Sequence, residues 1–321
     1  MMDFSAITKP CLMISQTWPK SRETKGETLR AIEAALQVDY FHALQTVEIP
    51  YADERRQVGS LMAEAGIPLT YNVARVISEN KLNLSDLDDT NRQRSCAHIL
   101  RCMDDACESG AASLGLVSGP CLVGLHQRSD ALKRLEDSLV FLCSEAKARP
   151  TLRVVIEPLD IASHKKGLLG TTDEAVALCN GLSRYGLDLK LCLDTAHVLL
   201  NGEDLLETLA LALPHIGEYH YCNCVVDPDH PLFGDYHLPF GLPGIVDIPK
   251  IAEIMKKSLE IGFFSDVYRP PVSCEVLKRE QDDSLQVMEY CRNALEQAWT
   301  ICVSEEQAAL PVMDNPTCQG S

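Results

Sequence analysis

The stretch LRVVIEPLDIASHKKGLLGTTDEAVALCNGLSRYGLDLKLCLD, Leu152 to Asp194, decides the fold. It opens on an apolar run rich in β-branched residues, LRVVIEP (Leu152–Pro158), and closes on a second, LKLCLD (Leu189–Asp194). Neither run alternates strictly between apolar and polar residues, as a strand wetted on one face would. Near-continuous apolar strands belong to parallel sheets covered on both faces. Between the two runs, Thr172–Tyr185 carries a helical period, and Thr172 followed by Asp173 and Glu174 is expected to open that helix. Strand, helix and strand at this spacing make one βα repeat.

Working outward, the repeat occurs eight times. The other candidate strands are Cys11–Ser15, Leu44–Ile49, Pro68–Val73 and Ala112–Ser118 on the N-terminal side, with Gly217–Asn223 and Pro271–Val276 on the C-terminal side. Helical periods cover Thr24–Gln37, Asp53–Ala65, Thr90–Gly110, Ser129–Ala148, Glu203–Leu213, Ile248–Ile261 and Asp283–Val303. No long Pro/Gly/Ser linker interrupts the 321 residues. The expectation is therefore an α/β chain forming a single (β/α)8 TIM barrel with a parallel eight-stranded core over residues 1–303. Residues 304–321, which lack periodicity and end in turn formers, are expected to form a flexible tail.

Composition narrows the function. With 46% hydrophobic and 23% charged residues the chain can bury a large core. A formal charge of −17 argues against a nucleic-acid partner, because neutralising phosphates takes clustered Lys and Arg. It also mildly favours an uncharged substrate over a phosphate ester. The fourteen cysteines include no CxxC pair, so free thiols in a reducing cytoplasm are expected rather than structural zinc or disulfides. No secretion signal or membrane-length apolar stretch is visible, which points to a soluble cytoplasmic protein with no membrane partner.

In a (β/α)8 barrel the active site forms at the C-terminal ends of the strands. Four ionisable residues stand at or near such ends: Glu157 in VVIEP, Asp194 in LCLD, His220 in EYHYCN and Glu275 in VSCE. Three carboxylates and an imidazole converging on one barrel mouth would repel one another and need a cation between them. Such a ligand set suits Mn²⁺, Mg²⁺, Co²⁺ or Zn²⁺ without choosing among them.

These motifs carry a resemblance. EPLD (Glu157–Asp160), CLDTAH (Cys192–His197), His220, DYHLPFGLPG (Asp235–Gly244) and CEV (Cys274–Val276) resemble the xylose-isomerase-like TIM barrel superfamily. Within it the likeness is to the sugar isomerase/epimerase group that includes the ketose 3-epimerases. The segments Leu82–Ser95 and Ser109–Gly119 are similar to that group as well. The resemblance implies that Glu157, Asp194, His220 and Glu275 bind one divalent ion, commonly Mn²⁺. It also implies that Glu157 and Glu275 act as an acid–base pair on the carbon beside a polarised carbonyl. His197 would face the substrate, a small polyol or sugar. Barrels of the group often associate, so a homo-oligomer is compatible with the resemblance.

The chain departs from the epimerase pattern in one place: the arginine that tends to precede the PG turn is missing from VVDPDHPLFGDYHLPFGLPG. That stretch instead offers Asp235 and His237, an Asp-x-His arrangement resembling the trinuclear zinc site of the AP-endonuclease group. The histidines that site needs at the second and third strand ends are absent from EIPYADE and TYNVARV. Asp235 and His237 are therefore expected to hold substrate hydroxyls or a second ion. Glu48, a sugar contact or a salt-bridge partner, and Trp18, a ring for a sugar face or packing under a loop, are further substrate-binding candidates. His164, Lys165 and Lys166 form a run read as solvated charge in preference to a lid or phosphate grip. The function expected is a metal-dependent isomerase or epimerase of a sugar-like substrate. Its rivals are a dehydratase or lyase using the same metal site, a non-catalytic barrel serving as a binding subunit and, last, a phosphodiesterase.

Overall fold

A computed structural model describes residues 3–149 and 152–309. Nine strands form: β1 (Lys9–Met13), β2 (Ala43–Val47), β3 (Leu69–Asn72), β4 (Ser113–Val117), β5 (Arg153–Glu157), β6 (Leu189–Asp194), β7 (Ile216–Val225), β8 (Gly234–Leu238) and β9 (Pro271–Glu275). Eight of them pair in parallel in the order β6-β5-β4-β3-β2-β1-β9-β7, and the pairing of β6 with β7 closes the ring. The chain is thus a closed (β/α)8 barrel, as the repeat predicts. Burial explains the apolar reading: Leu191, Cys192, Leu193 and Asp194 at the end of β6 are all buried, and β7 is buried along its whole length. Among the described residues every cysteine is a free thiol, and no helix is long and apolar enough to cross a membrane.

The ninth strand is not visible in the sequence. β8 runs antiparallel along the upper half of β7, pairing Asp235 with Cys224, so that β7 rises above the barrel rim as a hairpin carrying Asp235 and His237. Asn223 clamps the segment after β8: fully buried, it donates from Nδ2 to the carbonyls of Pro239 and Gly241, both at 2.7 Å, and accepts from Val246 N at 2.9 Å. Gly244 is required there, since a Cβ would stand 2.1 Å from Asn223 Oδ1.

Helices cover the barrel, among them Glu27–Leu36, Asp89–Glu108, Arg128–Lys147 and Ile248–Glu260. Four short ones lie outside the helical periods read from the sequence: Phe4–Ile7, Ile14–Thr17, Ala74–Glu79 and Thr195–Leu200. The helix opening at Thr172 has Thr171 at its N-cap, and no side chain of its own caps it. The free Thr172 N–H is met by Glu203 from beyond β6, at 3.0 Å. The last helix runs from Ser284 to Ala309, past Val303, and 310–321 of the expected tail lie outside the described residues.

Candidate functional site

The strand ends of β5, β6, β7 and β9 bring four side chains together. Asp194 is beside His220 across β6 and β7, and Glu275 is beside Cys222 across β7 and β9. One ligand atom from each of Glu157, Asp194, His220 and Glu275 lies within 4.8 Å of the others. His220 turns Nδ1 toward Glu275 Oε2, at 3.2 Å, and Nε2 toward Cys192 Sγ, at 3.3 Å, with Glu218 Oε2 at 3.9 Å. An ion among the carboxylates would be held on the Nδ1 side, with Nε2 turned toward the barrel interior. Glu218, its carboxyl raised by burial and accepting from the Thr70 hydroxyl, backs that nitrogen.

The carboxylates are short of partners. Burial, then the charges of Glu275, Asp235 and Glu157, push the Asp194 carboxyl well above the usual carboxylate range. Its Oδ1 accepts from Ala196 N at 2.7 Å and caps the helix Thr195–Leu200, while Oδ2 is buried with no hydrogen-bond partner. A buried, unpaired carboxylate oxygen is costly unless a proton or a metal meets it. Burial and Glu275 likewise raise Glu157. Burial would raise Glu275 too, but His237 and the bond from His220 hold it at about 2. Burial would lower His220, and Glu275 outweighs it, leaving the imidazole at about 9. The donor set, three oxygens and one nitrogen with one oxygen orphaned, fits a divalent ion.

Above this cluster opens a cavity of about 780 Å³. Its polar wall includes Glu157, His197, Asp235, His237 and Glu275, while Asp194 and His220 lie buried beside it. The opposite side combines apolar Met13, Val47 and Val117 with polar Asn72, Arg75 and Asn83. His197 places Nδ1 3.3 Å from Asp160 Oδ2 and Nε2 3.6 Å from Glu157 Oε1. Asp160 is fully buried, and its carboxylate also accepts the Lys165 N–H at 2.9 Å, so one residue sets both the imidazole and the loop after β5.

Gln16 is a site residue that the sequence does not single out. Its Nε2 donates to Glu275 Oε1 at 2.8 Å, and its Oε1 faces His237 Nδ1 at 3.2 Å. With Nε2 of His237 3.0 Å from Asp235 Oδ2, both ring nitrogens meet acceptors, which favours the imidazolium. Only a contact across 259 residues reveals Gln16, although its place just after β1 is a strand-end signal.

Three expectations meet a different geometry. Glu48 lies outside the cavity lining, 3.7 Å from Arg22 in an ion pair, because β2 ends one residue earlier. Trp18 packs on the core under the first loop and does not line the cavity. The run His164–Lys166 is not simply solvated: Lys165 lines the cavity and its Nζ sits 3.1 Å from Asp235 Oδ2, while His164 stacks on Tyr236 at 4.6 Å. Buried Asp235 attracts the ammonium that a surface run would leave in water.

Known proteins share this fold. The family model described as xylose isomerase-like TIM barrel matches residues 31–293. No curated protein sequence matches the chain. Among solved structures, L-ribulose 3-epimerase is similar over 96% of this chain and 100% of its own, at 16% identity and a TM-score of 0.73. D-Psicose 3-epimerase from Clostridium cellulolyticum H10, solved with D-tagatose, covers 92% and 99% at 16% identity and 0.67. The IOLI protein with a binding zinc atom covers 93% and 99% at 17% identity and 0.67.

Proposed function

The chain belongs to the xylose isomerase-like TIM barrel family, and from that premise we propose that it is a divalent-metal-dependent isomerase or epimerase of a small polyhydroxylated carbonyl compound. The observation that carries this reading is the convergence of Glu157, Asp194, His220 and Glu275 at the floor of one cavity, with Asp194 Oδ2 unpartnered. Those four residues would hold the ion, and the resemblance to the ketose 3-epimerases makes Mn²⁺ the first to try. When bound, it supplies Lewis-acid polarisation of the substrate carbonyl and so acidifies the adjacent C–H.

The chain's own groups do the rest. Glu157 and Glu275 reach the cavity from β5 and β9, on either side of β6 and β7, so a carbon held between them is open to one carboxylate on each face. One takes the proton and the other returns one, which inverts the centre. In the ion-free chain burial and Glu275 push Glu157 up, while His237 and His220 hold Glu275 down. His197, held at Nδ1 by Asp160, presents Nε2 to a substrate hydroxyl. Gln16 fixes the orientation of Glu275 and His237 together. The similarity to L-ribulose and D-psicose epimerases supports a ketose as the first substrate class to try.

The test is solvent exchange. Mn²⁺-supplied protein incubated in D2O with L-ribulose, D-psicose or D-tagatose is expected to place deuterium on the carbon beside the carbonyl, and Glu157→Gln and Glu275→Gln to stop it. Loss of water to an enone, read by ultraviolet absorbance, would move the activity to elimination. No exchange in any of the three would remove ketoses from the proposal.

A further inference from the structure

Asp235 holds one oxygen at the meeting point of three nitrogens. Oδ2 lies 3.0 Å from His237 Nε2, 3.1 Å from Lys165 Nζ and 3.8 Å from His197 Nε2. The Asp235 side chain is 1% exposed, so an ionised carboxylate there has almost no water and must be met by positive charge. Two imidazoles and a carboxylate form an ordinary ligand set for Zn²⁺ or Mn²⁺. Asp235 and His237 also stand with Cys222 as a group whose ligand atoms lie within 4.8 Å of one another. Beside His237, the chain itself delivers the Lys165 ammonium to this oxygen.

We propose that the Lys165 ammonium stands in for a second divalent cation: it neutralises Asp235, keeps the centre mononuclear, and masks a latent ion site formed by His197, Asp235 and His237. Lys165 reaches this position through a built arrangement. The loop after β5 folds around buried Asp160, which accepts the Lys165 N–H at 2.9 Å. Next to it, His164 Nδ1 accepts the Asp235 N–H at 3.1 Å and its ring stacks on Tyr236 of β8. The loop is thus fastened to the hairpin by its backbone and by His164, so trimming the Lys165 side chain removes the charge and leaves the anchorage. An ammonium is a single positive charge with no open coordination position. Asp235 thereby stays ionised beside the cavity without a second Lewis acid competing for the substrate oxygens.

The inference rests on the one-ion reading above and is separable from it. Native, Lys165→Ala, Lys165→Arg and Lys165→Ala/Asp235→Asn proteins are equilibrated with excess Mn²⁺, desalted and analysed for metal per chain. The expected contents are one, two, one and one, with exchange-coupled Mn²⁺ pairs in the electron paramagnetic resonance spectrum of Lys165→Ala alone. Lys165→Met, which keeps the length of the stem, serves if the alanine variant does not fold, and is also expected to bind two. One ion in both the native and the charge-removed chain overturns this proposal and leaves the function above intact. Two in the native chain shows that the ammonium does not exclude the ion and overturns it as well. None in the native chain overturns both.

Discussion

Binding of Mn²⁺ to the native chain should weaken steeply as the pH falls, and the slope can be worked from the site. Without an ion His220 titrates at about 9, held up by Glu275. At pH 7 the imidazole is therefore protonated in the free chain and must lose its proton to ligate. Two pH units below its pKa, that one displacement lowers the apparent affinity about 100-fold. Asp194, raised well above the ordinary range by burial and by Glu275, Asp235 and Glu157, adds a second proton wherever it too is protonated. Affinity therefore rises with pH up to about 9, by roughly tenfold per unit for each proton expelled. Isothermal titration with MnCl2 at several pH values between about 6 and 8, in buffers of differing ionisation enthalpy, measures both the slope and the protons released. A slope of one to two decades per unit is expected. A flat affinity with no proton release would refute the protonated, cation-seeking state assigned to the free site.

The same geometry predicts three further outcomes. Asn223→Ala strands two half-buried carbonyls and one buried N–H of the segment after β8, and should cost roughly 2 kcal/mol in denaturant unfolding; a change below about 0.5 kcal/mol would mean that the clamp is not structural. Asp160→Asn weakens the setting of His197 and should lower turnover about 10- to 100-fold with ion content unchanged, whereas loss of the ion would make Asp160 part of the metal site instead. Chelation should lower the melting temperature by several degrees relative to protein in Mn²⁺ at about 100 times its dissociation constant, since binding there is worth about 2.7 kcal/mol. An unchanged midpoint would argue against ligation by the folded state.

The barrel is legible because its strands are buried on both faces, and runs such as LKLCLD show that directly. The metal candidates are legible for the complementary reason: a charged residue closing an apolar strand needs a partner, and Glu157, Asp194 and Glu275 each do so. β8 is not legible. GDYHL is short, opens on glycine, and acquires strand geometry only from its pairing with β7. The helix Thr195–Leu200 has a readable start, since Asp194 caps it, but a carboxylate read as a ligand hides its second role as a cap. Glu48 takes the ion pair with Arg22, since a shift of one or two residues at a strand end turns a side chain from the cavity to the rim. Lys165 and Gln16 depend on contacts across 70 and 259 residues, which no local pattern carries.

The most direct test is where the ion sits. A crystal of the native protein soaked in MnCl2 and measured at the manganese edge should give one anomalous peak in coordination contact with Glu157, Asp194, Glu275 and Nδ1 of His220, and Asp194→Asn should abolish or strongly weaken it. A peak only on the surface, or none within reach of these four residues at full loading, would contradict the account.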